Sequence, residues 1–225
     1  MLDYIWLNDK FPILKQLPQN FKSAAILLHP FVQMPLGWEQ TKRKNPYQYI
    51  YPSDEEILKL GMPVKWSKMI NDCDLTTHKE LAIALKTSID ALREKYARED
   101  LADKLNSKLK PDLYYPTEDS TSVFLISDIL KFLSSKGANH LYFSAPVIDN
   151  TGLLKINDNT SLEICDLSPN ELILIDENMD FAFLSVFDSF ITLFLAKDEN
   201  INQIIQLMNW EALICDKKTY IDWYL

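Results

Sequence analysis

Phe181–Ala196 reads FAFLSVFDSFITLFLA. Two apolar runs, Phe181–Phe187 and Phe190–Ala196, flank Asp188-Ser189. Two runs of strand length joined by two turn-forming residues read as an antiparallel β-hairpin. Apolar residues occupy both parities of each run, so both faces of the hairpin are expected to be covered and the hairpin to lie centrally in a sheet. The stretch is too short to cross a membrane as a helix, and Asp188 sits in its middle. The rest of the chain is therefore read for what pairs with this hairpin and what covers it.

On either side of the hairpin, further strand signals follow one another. Leu141–Ala145 is an apolar strand, Asp149–Gly152 a turn, and Leu153–Ile156 and Leu162–Cys165 short strands. Ser168-Pro169-Asn170-Glu171 has capping-box spacing with proline at the first helical position, which predicts one helical turn. Leu172–Ile175, just beyond it, suits a strand equally well. Asp198 is placed to cap a short helix whose Ile201, Ile204, Ile205 and Met208 face the core. Glu211–Cys215 and Tyr220–Tyr224, with the turn Asp216–Thr219 between them, complete the pattern.

Toward the N-terminus the period changes from two to 3.6. Val123–Leu133 is a strongly apolar helix closed by Gly137, and it is expected to cover the sheet. Thr77-x-x-Glu80 opens a helix to about Tyr96, with Leu81, Leu85, Ile89, Leu92 and Tyr96 in one stripe. A second helix spans 98–109. Ser53-x-x-Glu56 is a further capping box, Leu60-Gly61 ends its helix, and Pro63 opens another. Pro12 and Pro18 break residues 1–22 into short turns around Tyr4, Trp6, Phe11 and Phe21, and Ala24–Leu28 suits a buried strand. The expected fold is α+β in one domain over 1–225, helix-rich over 1–137 and sheet-rich over 138–225. In it, an antiparallel C-terminal sheet is covered by helices from the N-terminal half.

The 225 residues are 47% hydrophobic and 12% aromatic, enough to bury a sizeable core. The four glycines, Gly37, Gly61, Gly137 and Gly152, stand apart, so no phosphate-cradling loop of the P-loop or dinucleotide type exists. Cys73, Cys165 and Cys215 form no CxxC pair and read as buried thiols of a reducing compartment. Met1–Tyr4 opens with an acid and lacks a basic-then-apolar leader, so a cytoplasmic location is expected. The net charge is −9. Residues 151–225 hold 13 acids against four bases, while residues 1–150 hold 19 of each, so the whole excess is C-terminal. Such a field repels nucleic acid and attracts a basic partner, and it also serves simply to keep an apolar sheet soluble.

Candidate site residues fall in three groups. His29, Trp38, Tyr114, Tyr115 and Glu118 lie in proline- and aromatic-rich stretches of the kind that carry ligand-binding loops. His29 is a lone histidine beside an apolar run, which is more often a hydrogen-bonded core residue than a ligand. Asp112, Glu118 and Asp119 are the densest acids near tyrosines. They suit acid–base work only if their environments separate their pKa values, and helix capping explains them as well. Asp176, Glu177 and Asp180 mark the acidic surface beside the hairpin. Lys42-Arg43-Lys44 with Tyr47, Tyr49 and Tyr51 is one short basic–aromatic cluster, better read as a solvated loop than as a nucleic-acid site. His29, His78 and His140 share no metal-ligand spacing with each other or with cysteines, and no G-x-S-x-G elbow occurs. No metal, cofactor or catalytic residue is implied.

HPFVQMPLGW at 29–38 together with YYPTEDS at 114–120 resembles an uncharacterised family of cytoplasmic proteins from Bacillus-type bacteria. That resemblance covers most of the chain and implies no activity. Glu171–Leu225, with Cys215-Asp216-Lys217-Lys218-Thr219 followed by Trp223-Tyr224, resembles polymorphic-toxin immunity proteins, which implies a non-enzymatic protein that binds a basic partner. The alternative expectation is a small-molecule-binding protein or enzyme with a pocket near residues 29–38 and 112–119. Self-association through a sheet edge near Tyr220–Leu225 is a third.

Overall fold

The computed structural model describes residues 7–45, 48, 50–198 and 200–225. Tyr4, Trp6, Tyr47, Tyr49 and Glu199, which enter the sequence reading, lie outside them. In chain order the elements are β1 (Ser23–Leu28), β2 (Phe31–Gln33), α1 (Trp38–Lys42), α2 (Asp54–Leu60), β3 (Met62–Val64), α3 (Trp66–Asp72), α4 (His78–Ser88), α5 (Glu99–Lys108), β4 (Leu113–Tyr114), α6 (Val123–Ser135), β5 (His140–Ala145), β6 (Asn150–Lys155), α7 (Ser161–Cys165), β7 (Ile173–Asp176), β8 (Phe181–Ser185), β9 (Ile191–Ala196), α8 (Ile201–Leu207) and β10 (Ala212–Ile214). The fold is α+β. Its residues group into two compact units. One takes the chain up to His29 with Thr117–Trp223, and the other takes Pro30–Pro116 with Tyr224–Leu225.

The first unit is built on a seven-stranded sheet in the order β10-β1-β9-β8-β7-β5-β6, antiparallel throughout. The Phe181–Ala196 hairpin is its centre, and every residue of β9 is buried. Phe183 and Phe194 face each other across the hairpin with rings stacked 4.6 Å apart. Phe132 of α6 meets Phe181, Phe183, Phe194 and Trp210 edge-on, so one helical aromatic closes over the central strands. Leu125, Ile126, Ile129, Leu130 and Leu133 of the same helix join that core, as do Ile201, Ile204 and Ile205 of α8. Burying one such side chain contributes about 1.5–3 kcal/mol, which is what seats α6 on the sheet.

The second unit holds α1 to α5 and a three-stranded sheet in the order β3-β2-β4. Its helices start as their sequences dictate. Ser53 caps α2 in a complete capping box with Glu56, and Thr77 caps α4 by accepting from the Glu80 N–H. Leu81 and Leu85 of α4 are buried, as are Leu101 and Leu105 of α5, which packs beside it.

Helix ends share one device. After α3, α4, α6 and α8 the chain turns through a left-handed residue, namely Asp74, Asp90, Gly137 and Asn209. The following N–H then reaches back to a carbonyl of the last turn: Leu75 to Ile70, Ala91 to Lys86, Ala138 to Leu133 and Trp210 to Ile205. This is the Schellman closure, and only one of the four uses glycine.

Several sequence expectations are corrected. Helix α4 stops at Ser88 rather than near Tyr96, because Asp90 takes the left-handed turn. The strands of the central hairpin end at Ser185 and resume at Ile191, so the loop is longer than two residues. Residues 161–165 are helix α7, not a strand, because Thr160 and Glu163 form a capping box. The Ser168–Glu171 segment forms no helix; the Ser168 hydroxyl accepts from the Asn170 N–H and the chain proceeds to β7. Met62–Val64 pairs as a strand before α3 begins at Trp66. Asn200, not Asp198, is the N-cap residue of α8. Residues 221–224 are turns rather than a last strand. Strand β1, from the N-terminal half, pairs between β9 and β10, inside the C-terminal sheet.

Candidate functional site

His29 directly follows β1, and its N–H donates to the Phe190 carbonyl at 3.0 Å. The ring is fully buried. Its Nδ1 lies 2.8 Å from the Thr117 carbonyl and its Nε2 2.8 Å from Thr192 Oγ1. A carbonyl can only accept, so Nδ1 carries the hydrogen and Nε2 accepts from the Thr192 hydroxyl. The Thr192 proton being used, Thr121 Oγ1 donates to Thr192 Oγ1 at 3.0 Å. Burial pushes the His29 pKa down to about 4, with the Thr117 bond opposing, so the ring is neutral as this pattern requires.

The network pins segment 117–121 to one end of the sheet, and Glu118 and Asp119 ride on that segment. The Asp119 N–H donates to the Ser189 carbonyl at 3.1 Å, and the Asp188 N–H donates to Asp119 Oδ1 at 2.6 Å. Both aspartates adopt left-handed backbone, with φ of 63° and 49°. The carboxylates of Glu118, Asp119 and Asp188 thereby come within 4.8 Å of one another. Three converging carboxylates suit a positively charged group, whether an ammonium, a guanidinium or a hard divalent cation.

Asp112, grouped with these acids in the sequence, lies in the other unit and does different work. Its carboxylate is buried and accepts from the N–H groups of Gly37 (2.7 Å) and Glu39 (2.6 Å). It thus satisfies the start of α1, which has no cap of its own. Trp38, Tyr114 and Tyr115 belong to that unit too. Trp38 and Tyr51 both meet Tyr114 edge-on, at 5.7 and 5.6 Å, and the Tyr51 hydroxyl donates to the Tyr115 carbonyl at 2.9 Å. Of the residues first grouped as a pocket, His29 and Glu118 are in one unit, and Trp38, Tyr114 and Tyr115 are in the other.

The acids beside the hairpin are engaged within the fold. Asp176 is buried and accepts from the N–H groups of Asn178 (3.0 Å), Asp180 (2.8 Å) and Phe181 (2.6 Å), which shapes the β7–β8 turn. Burial pushes its carboxyl above the ordinary range, and those three bonds pull it part of the way back. Glu177 accepts from the Asn139 N–H (3.0 Å) and from His140 Nδ1 (2.8 Å), which hold its carboxyl below the ordinary range. Asp180 pairs with Lys197 at 2.8 Å. Among the described residues, the exposed acids beyond residue 150 are Asp158, Glu163, Asp166, Asp188, Asp198 and Asp216. Thr121 and Thr192 were not legible as site residues in the sequence, because a threonine in an apolar strand or before an apolar helix gives no signal of a distant partner. No helix among the described residues is long and apolar enough to cross a membrane.

The family model described as a protein of unknown function, DUF2711, matches residues 9–225, and the chain belongs to that family. It is 51% identical over 224 residues to the uncharacterized protein YwbB of Bacillus subtilis (strain 168), covering all of both chains. No solved structure matches.

Proposed function

We propose that this chain is a non-enzymatic binding protein for a basic protein, in the manner of an immunity or inhibitor protein. The contact surface is the carboxylate-rich surface of the sheet-bearing unit. One observation carries the reading: the entire net charge of −9 resides in residues 151–225, and six of their acids among the described residues are exposed. A one-sided field of this kind steers a cationic partner and speeds its association, and salt screens the effect. Asp176, Glu177 and Asp180 contribute charge to the field, while their hydrogen bonds shape the β7–β8 turn. Direct contact accordingly falls on Asp158, Asp166, Asp188 and Asp198. His29, the one imidazole of the alternative pocket, is buried with both nitrogens hydrogen-bonded, which favours binding over acid–base chemistry.

The test is charge reversal at exposed positions that bear little on the fold. Asp158→Lys, Asp166→Lys and Asp198→Lys combined should slow association with the partner at least tenfold at low salt and leave thermal stability unchanged. Unchanged association would overturn the proposal.

A further inference from the structure

The seven-stranded sheet has two edges that differ sharply. The β10 edge is three residues long. The β6 edge is six residues long and pairs with β5 alone among the described residues. Natural edges are blunted by shortness, proline, bulges or charge. Strand β6 has no proline, no bulge in its pairing with β5, and one charge, Lys155 at its end. Leu153 on the strand and Val147 and Ile148 at the hairpin tip are 51%, 54% and 49% exposed.

The strand alternates as a half-covered edge should. Asn150, Gly152 and Leu154 are half-buried, and Thr151, Leu153 and Lys155 are exposed. Gly152 lies beneath the Phe143 ring, where an added Cβ would sit 2.7 Å from the ring edge, so this stretch stays flat and bare of side chain at its middle. Charge decides what can approach it. A second copy of a chain carrying −9 is repelled over most of its surface. Residues 146–157 hold one acid and one base, Asp149 and Lys155, and are neutral.

We propose that β6 is a self-association edge: two copies pair antiparallel about a two-fold axis at Gly152. In that register Thr151 faces Leu153 of the second copy and Asn150 faces Leu154. Asp149, in the left-handed turn (φ 51°) just before the strand, lies at the end of the pairing on the side of Lys155 of the second copy, and symmetry repeats each contact. The two Leu153 side chains sit diagonally across the axis, within reach of each other. Lys155 is free to make the new pair, since its present partner Asp158 is 3.8 Å away and both are exposed. Specific interfaces use about 20–30 residues a side, and this edge supplies about half that number, so the dimer forms in a concentration-dependent manner.

Sedimentation equilibrium of the full chain over a hundredfold concentration range tests this. The expected result is a monomer–dimer equilibrium. Lys155→Asp should weaken it roughly tenfold by setting like charges opposite each other, and adding Asp149→Lys to that variant should restore it. Leu153→Lys, at an exposed position, should abolish the dimer with the thermal unfolding midpoint unchanged. A monomer at every concentration, or a dimer equally tight in Leu153→Lys and Lys155→Asp, would overturn the proposal. A double charge swap that fails to restore association would overturn the register centred on Gly152.

Discussion

Thr192 Oγ1 donates to His29 Nε2 across 2.8 Å, tying the start of the hairpin strand β9 to the residue that leaves β1. The Thr117 carbonyl fixes the tautomer of this fully buried imidazole, and together with the Thr121 hydroxyl the network anchors the segment that presents Glu118 and Asp119. A neutral His29 is thus part of how the fold is held.

Stability should depend on pH through this ring. The folded chain holds His29 near 4, and an unfolded histidine titrates near 6.5. Between those values the unfolded chain binds a proton that the folded chain does not. The contribution is fully present above about 6.5 and is lost as pH falls toward 4, a loss of about 3 kcal/mol. Urea unfolding from pH 7 to 4.5 should show this decline in the wild type and a flatter limb in His29→Asn.

Thr192→Val keeps the shape of the side chain and removes the hydroxyl. His29 Nε2 then loses the Thr192 donor and the Thr121 hydroxyl loses the Thr192 acceptor, both in a buried site. The expected cost is about 1–3 kcal/mol in chemical denaturation, and Thr192→Ser should recover most of it.

The aromatic cluster makes a sharper demand. Phe194 is fully buried, stacked on Phe183 and met edge-on by Phe132 and Trp210. Phe194→Ala should destabilise the chain by about 3–5 kcal/mol. Phe187→Ala, in the same hairpin but 55% exposed, should change stability by less than about 0.5 kcal/mol.

Asp176→Ala should behave as a structural lesion. It strands three backbone N–H groups in a part-buried turn, at a cost of about 2–4 kcal/mol seen in thermal or urea unfolding. A change in partner affinity at unchanged stability would place Asp176 in the interface instead.

Local signals in the sequence read well. The Phe181–Ala196 hairpin, the apolar helix α6 with its glycine closure, and the Ser53 capping box each depend on neighbours within a few residues, and each is present. What was missed depends on distant residues or on residues with two uses. The pairing of β1 with β9 joins Ser23 to Ala196, and nothing near Ser23 announces that partner. Leu162–Cys165 is apolar enough for a strand, but Thr160 and Glu163 satisfy the N-terminal N–H groups of a helical turn and decide the outcome. Three of the four Schellman closures use Asp or Asn, so a stop signal read from glycine alone misses them, and α4 is expected to run past its end at Ser88. Asp112 resembles Glu118 and Asp119 in the chain, yet it caps α1 from afar. The acids at 176, 177 and 180 look like open surface in the sequence and turn out to be hydrogen-bonded within the fold.

The central claim is that the carboxylate-rich surface of the sheet-bearing unit recognises a basic protein. The most direct measurement is affinity capture on the purified chain, followed by the association rate of the captured protein at low and high ionic strength. The account predicts one basic protein, binding 1:1, with a rate that falls steeply as salt rises. Capture of no partner, or of one whose association rate is indifferent to salt, would contradict it.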